Sequence, residues 1–326
     1  MTDTLERPAD TDDAVISLVV VRLETVAHRV IRLELAAADG GPLPSWTPGA
    51  HIDLALGNGL VRQYSLCGDP SDTETWTLGI LDEPSSRGGS RWICGALRQG
   101  HLVDARGPRN HFGLVEAGSY LMIAGGIGVT PILAMIRELD ARGRDWSALY
   151  LGRCAESMAF VDDLARYGDR VTVWPSSSRG RADVAGALAR VPAGAAVYCC
   201  GPAGLVDAVE AAALSRPDVD LHVERFRPGA VAPGSAADHA FEVVAAQSGV
   251  SVTVAPGTTI ADALEGVGVL VPRSCGEGTC GSCETEVLEG VPDHRDSTLT
   301  ERERLAGTQM MVCCSRAVGD RLVLDI

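Results

Sequence analysis

Cysteines near the end of the chain recur at a spacing that binds metal. The run C-G-E-G-T-C-G-S-C places Cys275, Cys280 and Cys283 in a C-x4-C-x2-C pattern, and M-M-V-C-C-S-R supplies two more cysteines much later. This is the plant-type spacing for a [2Fe–2S] cluster, in which each iron takes two thiolates. We therefore expect these three cysteines and Cys313 to be the ligands, and Cys314 is the competing candidate for the fourth position. A structural zinc site is the alternative, although zinc usually takes paired short-spaced ligands and the run holds a single C-x-x-C.

Glycines within the same run favour a loop that wraps around the cluster. Gly276, Gly278 and Gly281 lie among the cysteines. Because glycine has no Cβ, the backbone can curl tightly there and direct its N–H groups at the cluster sulfurs.

Two runs in the first third of the chain could bind a phosphate and an aromatic ring. In R-Q-Y-S-L, Arg62 offers a bidentate cation for a phosphate, Tyr64 offers a flat face and a hydroxyl, and Ser65 can hydrogen-bond a ring nitrogen. The run R-G-G-S at 87–90 is a glycine turn before W-I-C-G-A-L-R, and amides at such a helix start make a phosphate nest. An ordinary surface strand and a simple hairpin turn are the alternatives.

A third candidate site combines a glycine-rich turn with the end of a later strand. The run G-G-I-G-V-T-P at 125–131 lies between the strand-like Y-L-M-I-A and the helical I-L-A-M-I-R-E-L, with Thr130 as the expected N-cap. It is not the G-x-G-x-x-G fingerprint, but its context is the one in which a pyrophosphate binds helix amides; a tight turn is the alternative. The run C-G-P at 200–202 ends a strand at the edge where such sheets bind ligands, although Cys200, like Cys199, could be a buried small hydrophobe.

Composition limits the classes of partner and compartment. The chain has 326 residues with a net charge of −15, which disfavours nucleic acid and anionic membrane surfaces because their phosphates would be repelled. No window is long and apolar enough for a membrane helix, and the N-terminus lacks the features of a signal peptide. Ten cysteines without an export signal indicate reduced thiols and metal ligands, and hence a cytoplasmic protein.

The hydrophobic pattern changes twice along the chain and predicts three folded units. Short alternating runs separated by Gly and Pro indicate an antiparallel β-barrel, and the strands and helices that alternate after it indicate a parallel α/β sheet. A Pro-, Gly- and Ala-rich linker then leads to a small hairpin-plus-helix ferredoxin domain. The predicted boundaries are a disordered tail at 1–13, the barrel at 14–116, the α/β domain at 117–226, the linker at 227–238 and the ferredoxin domain at 239–326.

These runs, in this order and together with V-Y-C-C-G-P and H-V-E-R-F, resemble the phthalate dioxygenase reductase family, which includes the vanillate demethylase reductase components. The resemblance covers nearly the whole chain past the tail. It implies an FMN-binding β-barrel, an NAD(P)H-binding α/β domain and a C-terminal [2Fe–2S] ferredoxin domain with the α+β β-grasp fold.

The resemblance also implies roles for the flavin-side residues. Arg62 would hold the FMN phosphate, and Tyr64 and Ser65 would contact the isoalloxazine, with Ser65 near N5 as a candidate catalytic residue. The remaining flavin contacts would come from Gly88, Gly89 and Ser90 at the phosphate and from Phe226, which would pack on the ring.

On the nicotinamide side, the resemblance implies two sets of residues. Gly126, Gly128 and Thr130 would line the nucleotide. Cys200, Gly201 and Pro202 would border the nicotinamide, with Cys200 as the second candidate catalytic residue.

The segment Ser176–Arg181 bears on the choice of cofactor. NADH-preferring relatives more often carry acidic or histidine residues there, whereas the serines and the arginines, Arg179 foremost, could cradle a 2′-phosphate. The resemblance favours NADH and leaves NADPH possible.

The predicted function is a relay from NAD(P)H through FMN to the cluster. A nicotinamide delivers two electrons at once and a cluster accepts one, so a flavin must lie between them. The final acceptor would be a terminal oxygenase, either a Rieske non-haem iron enzyme or a cytochrome P450, and the predicted ferredoxin segment, with thirteen acidic residues against six arginines, suits a basic docking face. The alternatives are a ferredoxin-fused reductase that uses FAD with another acceptor, and a non-enzymatic [2Fe–2S] redox sensor.

Overall fold

The computed structural model describes residues 14–84, 88–226, 238–273, 275–279, 281–299 and 301–326, the last range without the side chains of its first two residues. The predicted tail, nearly all of the predicted linker and the expected ligand Cys280 lie outside these ranges. None of the helices in the described part of the chain is both long and apolar enough to cross a membrane.

The first sheet is antiparallel throughout. Its six strands, in the order β4-β3-β6-β1-β2-β5, are β1 (Ile16–Ala27), β2 (Val30–Ala37), β3 (His51–Ala55), β4 (Val61–Ser65), β5 (Thr75–Leu81) and β6 (Leu102–Arg109). An antiparallel bridge from Leu66 to Leu78 joins the two edges of the sheet. Alternate side chains point inward along each strand, so Leu33, Leu35 and Trp76 are fully buried among other apolar residues. The helix α1 (Gly89–Ala96) connects β5 to β6.

The second sheet is parallel, as the alternation of strands and helices predicts. Its strands, in the order β11-β10-β7-β8-β9, are β7 (Ser119–Gly125), β8 (Asp145–Gly152), β9 (Val171–Pro175), β10 (Ala196–Cys200) and β11 (Asp220–Glu224). The helices between them are α2 (Val129–Ala141), α3 (Val161–Ala165), α4 (Ser176–Arg179), α5 (Val184–Ala189) and α6 (Ala203–Ala213). The chain runs outward from β7 through β9 and then returns to place β10 on the other side of β7. The carboxyl ends of β7 and β10 therefore form the topological switch point at which such sheets bind ligands.

The predicted N-cap of α2 is wrong by two residues. The helix begins at Val129 after a 3₁₀ turn at Gly126–Gly128, so Gly128 is the N-cap and Thr130 lies within the first turn. The Thr130 hydroxyl instead donates to the Ile127 carbonyl at 3.0 Å. Because the glycine turn is itself a 3₁₀ helix, α2 begins earlier in the sequence than predicted.

The third sheet is mixed and carries the cysteine run. Its strands, in the order β13-β12-β18-β14-β16, are β12 (Phe241–Ala245), β13 (Val250–Val254), β14 (Glu284–Glu289), β16 (Gln309–Met311) and β18 (Arg321–Leu324). The helix α7 (Ile260–Gly266) shares an apolar core with the sheet.

The smaller elements are a two-stranded ladder of β15 (Pro292–Asp293) and β17 (Arg316–Ala317), and the helix α8 (Glu301–Ala306). The cysteine run lies between α7 and β14, and Cys313 follows β16, which brings the two parts of the predicted cluster site to one end of the sheet.

Polar and close-packed contacts join the first two sheets. The Arg137 guanidinium on α2 donates to the Cys67 carbonyl at 2.6 Å and lies 3.2 Å from the Asp163 carboxylate, which also pairs with Arg32. A Cβ built on Gly79 of β5 would lie only 2.5 Å from the Thr130 Cγ2 atom. The start of α2 therefore packs directly on the first sheet.

Candidate functional site

The strand β4 presents the predicted flavin residues in pairs with β3. The register pairs Arg62 with Leu54, Tyr64 with Ile52 and Ser65 with His51. Because strand residues alternate, Arg62 and Tyr64 share one face of the strand. Ser65 is buried, and burial raises the pKa of the Tyr64 phenol, against a smaller opposing effect of Arg62, so the phenol is protonated and can donate a hydrogen bond.

The structure brings Arg62 together with the start of α1. A Cβ on Gly89 would lie 2.6 Å from the Arg62 Cγ atom and 2.8 Å from its Nε, so only glycine leaves room for the arginine stem. The N-cap Gly88 has φ +92°, and no acidic residue occupies the first turn of the helix. A guanidinium beside helix amides is a donor set suited to a phosphate, and these residues fit the predicted flavin phosphate.

The glycine turn and the C-G-P run meet at the switch point of the parallel sheet. A Cβ on Gly128 would lie 2.3 Å from the Cys200 carbonyl oxygen, and a Cβ on Gly201 would lie 2.9 Å from the Gly125 Cα atom. The backbones of the two runs are therefore in contact. Because Gly128 and Gly201 have no side chains, neither fills the space at the carboxyl ends of β7 and β10. Thr130 connects this site to the first sheet through its contact with Gly79. The arrangement fits a nucleotide held between the two sheets.

Glu224 belongs to this site, although the sequence analysis assigned only Phe226 from the run H-V-E-R-F. The parallel register places Glu224 directly beside Cys200, and the Cys200 Sγ atom donates to Glu224 Oε2 at 3.6 Å. Burial raises the pKa of Glu224 to about 8 and raises that of the Cys200 thiol well above its ordinary value. Both groups are therefore largely protonated at neutral pH. The signal in the sequence was an acidic residue at the end of the strand that precedes Phe226.

Phe226 and Arg179 follow the carboxyl ends of the two outermost strands of the parallel sheet, β11 and β9. Phe226 follows β11 with 40% of its surface exposed, which leaves the aromatic ring accessible to a ligand. The Arg179 guanidinium stacks on the Trp174 ring at 3.9 Å and donates to the Val173 carbonyl at 3.3 Å. The segment predicted to set cofactor choice is thus the short helix α4, with its arginine held against the end of β9.

The described cysteines of the predicted cluster site lie together. Hydrogen bonds from Cys275, then Cys283 and Cys314, lower the pKa of Cys313, which favours its thiolate. The Cys275 Sγ atom accepts the backbone amides of Glu277 at 3.3 Å and Thr279 at 3.4 Å. The glycines of the loop have φ values of +67° to +73°, as the predicted curl requires: Gly276, Gly278 and Gly281. Within the described ranges no three His, Cys, Asp or Glu side chains form a site for a single metal ion, and Cys280 is outside them.

Cys314 packs against Gly278 of the loop, and its pKa is shifted in the opposite direction from that of Cys313. Its hydrogen bond to Cys313, followed by burial, raises the pKa of the Cys314 thiol, and its Sγ atom donates to the Met311 carbonyl at 3.7 Å. A Cβ on Gly278 would lie 2.4 Å from that sulfur. Cys313 hydrogen-bonds with Cys275 and Cys283, whereas the Cys314 sulfur contacts the Met311 carbonyl, and these contacts favour Cys313 as the fourth ligand.

A buried carboxylate that the sequence analysis missed supports the same loop. The Asp296 side chain is fully buried, and its Oδ2 atom accepts the amides of Thr298 and Leu299 at 3.0 and 2.8 Å. The next residue, Ser297, donates its amide to the Gly278 carbonyl at 2.8 Å. The segment after β15 therefore fixes the position of the cluster loop.

Comparison with known proteins gives relatives along the whole chain. The family model described as 2Fe-2S iron-sulfur cluster binding domain matches residues 243–318. The phenoxybenzoate dioxygenase subunit beta of Ectopseudomonas oleovorans is 41% identical over 96% of this chain and 99% of its own length. Phthalate dioxygenase reductase of Burkholderia cepacia is 36% identical over 97% of this chain and 98% of its own length. The chain belongs to the phthalate dioxygenase reductase family.

Solved structures agree with this membership. A phthalate dioxygenase reductase described as a modular structure for electron transfer from pyridine nucleotides to [2Fe–2S] matches with a TM-score of 0.70 and 34% identity, over 96% of this chain and 98% of its own. An intact type IV self-sufficient cytochrome P450 monooxygenase matches 98% of this chain with a TM-score of 0.88 and 42% identity, but this chain spans only 43% of its length. As a member of the phthalate dioxygenase reductase family, the protein is an oxidoreductase of the oxygenase-reductase type, which confirms the prediction from its motifs.

Substitution of the two adjacent cysteines tests the fourth ligand. Cys313→Ser is expected to lose the visible absorbance and the EPR signal of the reduced [2Fe–2S] cluster, because Cys313 hydrogen-bonds with two of the other expected ligands, Cys275 and Cys283. Cys314→Ser is expected to keep both signals. Loss of the cluster from Cys314→Ser with retention in Cys313→Ser would reverse the assignment.

Two substitutions at the start of α1 test the phosphate site. Arg62→Ala should weaken flavin binding by about 1.5–3 kcal/mol, or roughly ten- to hundred-fold, because a charge-assisted phosphate contact is lost. Gly89→Ala should also weaken it, because the added methyl displaces the Arg62 stem. Gly95→Ala is the matched control, since a Cβ at this exposed position of the same helix meets nothing within 4 Å. Equal flavin dissociation constants for the two glycine variants would rule out the role of the Gly89 contact.

Proposed function

We propose that this protein is the reductase component of an oxygenase system that takes electrons from NADH and delivers them singly, through FMN and a [2Fe–2S] cluster, to a terminal oxygenase. The observation that carries the proposal is the contact between Thr130 at the switch point and Gly79 of the first sheet. It puts the candidate nucleotide site of one sheet against the sheet that carries the candidate flavin site. A sensor without turnover would not need two nucleotide sites in contact.

Supporting observations assign a part of the relay to each sheet. The first sheet, with its edges joined by the Leu66–Leu78 bridge, would be the FMN-binding barrel at 14–116. The second would be the NAD(P)H-binding domain at 117–226, and the third would be the β-grasp ferredoxin domain at 239–326. FMN, when bound, supplies the ability to accept a hydride and to release electrons one at a time.

On the flavin side, the residues of this chain would bind and orient. Arg62, with Gly88, Gly89 and Ser90 at the start of α1, would hold the phosphate. Tyr64, whose phenol is kept protonated by burial, would donate a hydrogen bond to the ring system. Ser65 would hydrogen-bond near N5 from its buried position across from His51, and Phe226 would cover the ring.

On the nicotinamide side, the residues would shape an uncharged pocket. Gly126, Gly128 and Thr130 would line the nucleotide, and the run at 200–202 would border the nicotinamide. Cys200 and Glu224 are both largely protonated at neutral pH, so they offer neutral donors beside the reacting ring and no fixed negative charge.

The cluster ligands would be Cys275, Cys280, Cys283 and Cys313. The acceptor after the cluster would be a terminal oxygenase of the Rieske non-haem iron class or a cytochrome P450. Relatives of both kinds support an oxygenase, since the curated relatives include a subunit of a dioxygenase and the matching solved structures include a P450 monooxygenase.

Reduction of a protein acceptor tests the function. With flavin and cluster loaded, NADH is expected to bleach the flavin and then the cluster in a stopped-flow measurement and to drive continuous reduction of cytochrome c. Chromatography of the extracted flavin distinguishes FMN from FAD. Absence of any NADH- or NADPH-driven turnover in the loaded protein would overturn the proposal in favour of a redox sensor.

The stacked arginine on α4 provides a test of cofactor choice. Arg179→Ala is expected to lower kcat/KM for NADPH by roughly ten- to hundred-fold, the loss typical of a charge-assisted phosphate contact, with little effect on NADH. Arg190→Ala, at an exposed arginine that caps the C-terminus of α5 outside this segment, is the matched control. An equal change for both nucleotides would show that Arg179 does not contact the 2′-phosphate.

A further inference from the structure

A histidine lies directly across the strand pair from Ser65. His51, the first residue of β3, pairs in register with Ser65 of β4 and exposes only 4% of its surface. Its Nε2 atom is buried and has no hydrogen-bond partner among the described residues. Burial, reinforced by His111 and Arg109, lowers the pKa of His51 to about 3, so the imidazole is neutral. The neutral imidazole of His51 is therefore the cross-strand neighbour of Ser65 in the candidate flavin site.

A second histidine continues from His51 to the cluster loop. The His51 and His111 rings stack with centroids 5.8 Å apart and planes 26° from parallel. His111 also meets Gly281 of the cysteine run. A Cβ built on Gly281 would lie 2.8 Å from His111 Cε1 and 2.9 Å from both ring nitrogens. Because these three ring atoms are nearly equidistant, the missing Cβ of Gly281 points at the face of the imidazole.

The residues on either side of His111 hold it rigidly on the first sheet. The Asn110 amide nitrogen donates to Thr47 Oγ1 at 2.7 Å and to the Pro48 carbonyl at 3.0 Å. The Asn110 Oδ1 atom accepts the Phe112 amide at 2.9 Å. Before this segment, Arg109 pairs with the buried Asp53 carboxylate. His111 is thus a fixed surface against which the cluster loop can be placed reproducibly.

We propose that His111 is a positioning residue that seats the cluster-binding loop on the flavin-binding sheet, through its stack on His51 and its face-on contact with Gly281. The inference rests on the proposed function, since it assigns the residue that sets the separation between two of its redox groups. Electron transfer falls steeply with distance, so a loop held against His111 would pass electrons faster than one free to move away. The protein supplies position and the cofactors supply the redox chemistry.

Three variants of the flavin- and cluster-loaded protein test the proposal. His111→Ala is expected to slow reduction of the cluster by the flavin by roughly tenfold or more, because small misplacements of reacting groups cost large factors in rate. The rate of flavin reduction by NADH should stay unchanged. His111→Phe keeps a flat ring and should restore most of the rate. His101→Ala, which removes an exposed histidine in the turn before β6, is the control and should match the wild type.

Hydrogen–deuterium exchange provides a readout that does not depend on electron flow. The peptide that contains Gly281 should exchange faster in His111→Ala than in the wild type, and His111→Phe should restore its protection. Unchanged exchange and unchanged cluster reduction in His111→Ala would overturn the proposal. If NADH fails to reduce the flavin even in the wild type, the proposed function fails, while the exchange measurement still decides whether His111 seats the loop.

A double-mutant cycle separates this contact from backbone strain. Gly281→Ala alone should impair protection of the loop for two reasons, because its φ of +73° disfavours alanine and its methyl meets the His111 ring. In the His111→Ala background only the first reason remains, so the added effect of Gly281→Ala should be smaller. Additive effects of the two substitutions on exchange would contradict a direct contact.

Discussion

The candidate flavin, nucleotide and cluster sites depend on glycines at which the backbone lies so close to a neighbouring element that a Cβ would not fit. Gly89 admits the Arg62 stem, Gly79 admits Thr130, Gly128 meets the Cys200 carbonyl and Gly281 faces the His111 ring, with each absent Cβ only 2.3–2.8 Å from its nearest neighbour. At these separations even one methyl group would require the neighbouring atoms to move. Redox groups that must lie near one another require such contacts, because every intervening side chain would lengthen the path between them.

Electrostatics then divides chemically identical residues into different roles. Two pairs of adjacent cysteines occur in the chain, at 199–200 and 313–314. Burial in the parallel sheet raises the pKa of both Cys199, to about 12, and Cys200, so these stay thiols. Hydrogen bonds from Cys275 and Cys283 lower the pKa of Cys313, which favours the form that binds iron. A cysteine is thus an uncharged thiol in the parallel sheet, at Cys200, and a candidate metal ligand at the cluster loop, at Cys313.

Much of the fold could be predicted from the sequence because its signals are local. The strand-like run Y-L-M-I-A lies within β7, and the helical run I-L-A-M-I-R-E-L lies within α2. Alternation with period two and the punctuation by Gly and Pro depend only on neighbours in the chain. The start of α2 was wrong for the same reason, since a glycine-rich turn gives no local signal for whether it becomes a 3₁₀ helix or an extended loop.

The sequence by itself determined the order of the three units, the cluster spacing and the family, because spacing and motif order are properties of the chain alone. It could not place Glu224 beside Cys200, Asp296 beneath the cluster loop or His111 against Gly281. Members of these pairs lie far apart in the sequence, and the contact exists only after strands from distant segments take up their register. The tertiary structure alone decided which glycines touch which side chains, since that depends on how the packed sheets meet and not on any local preference of the backbone.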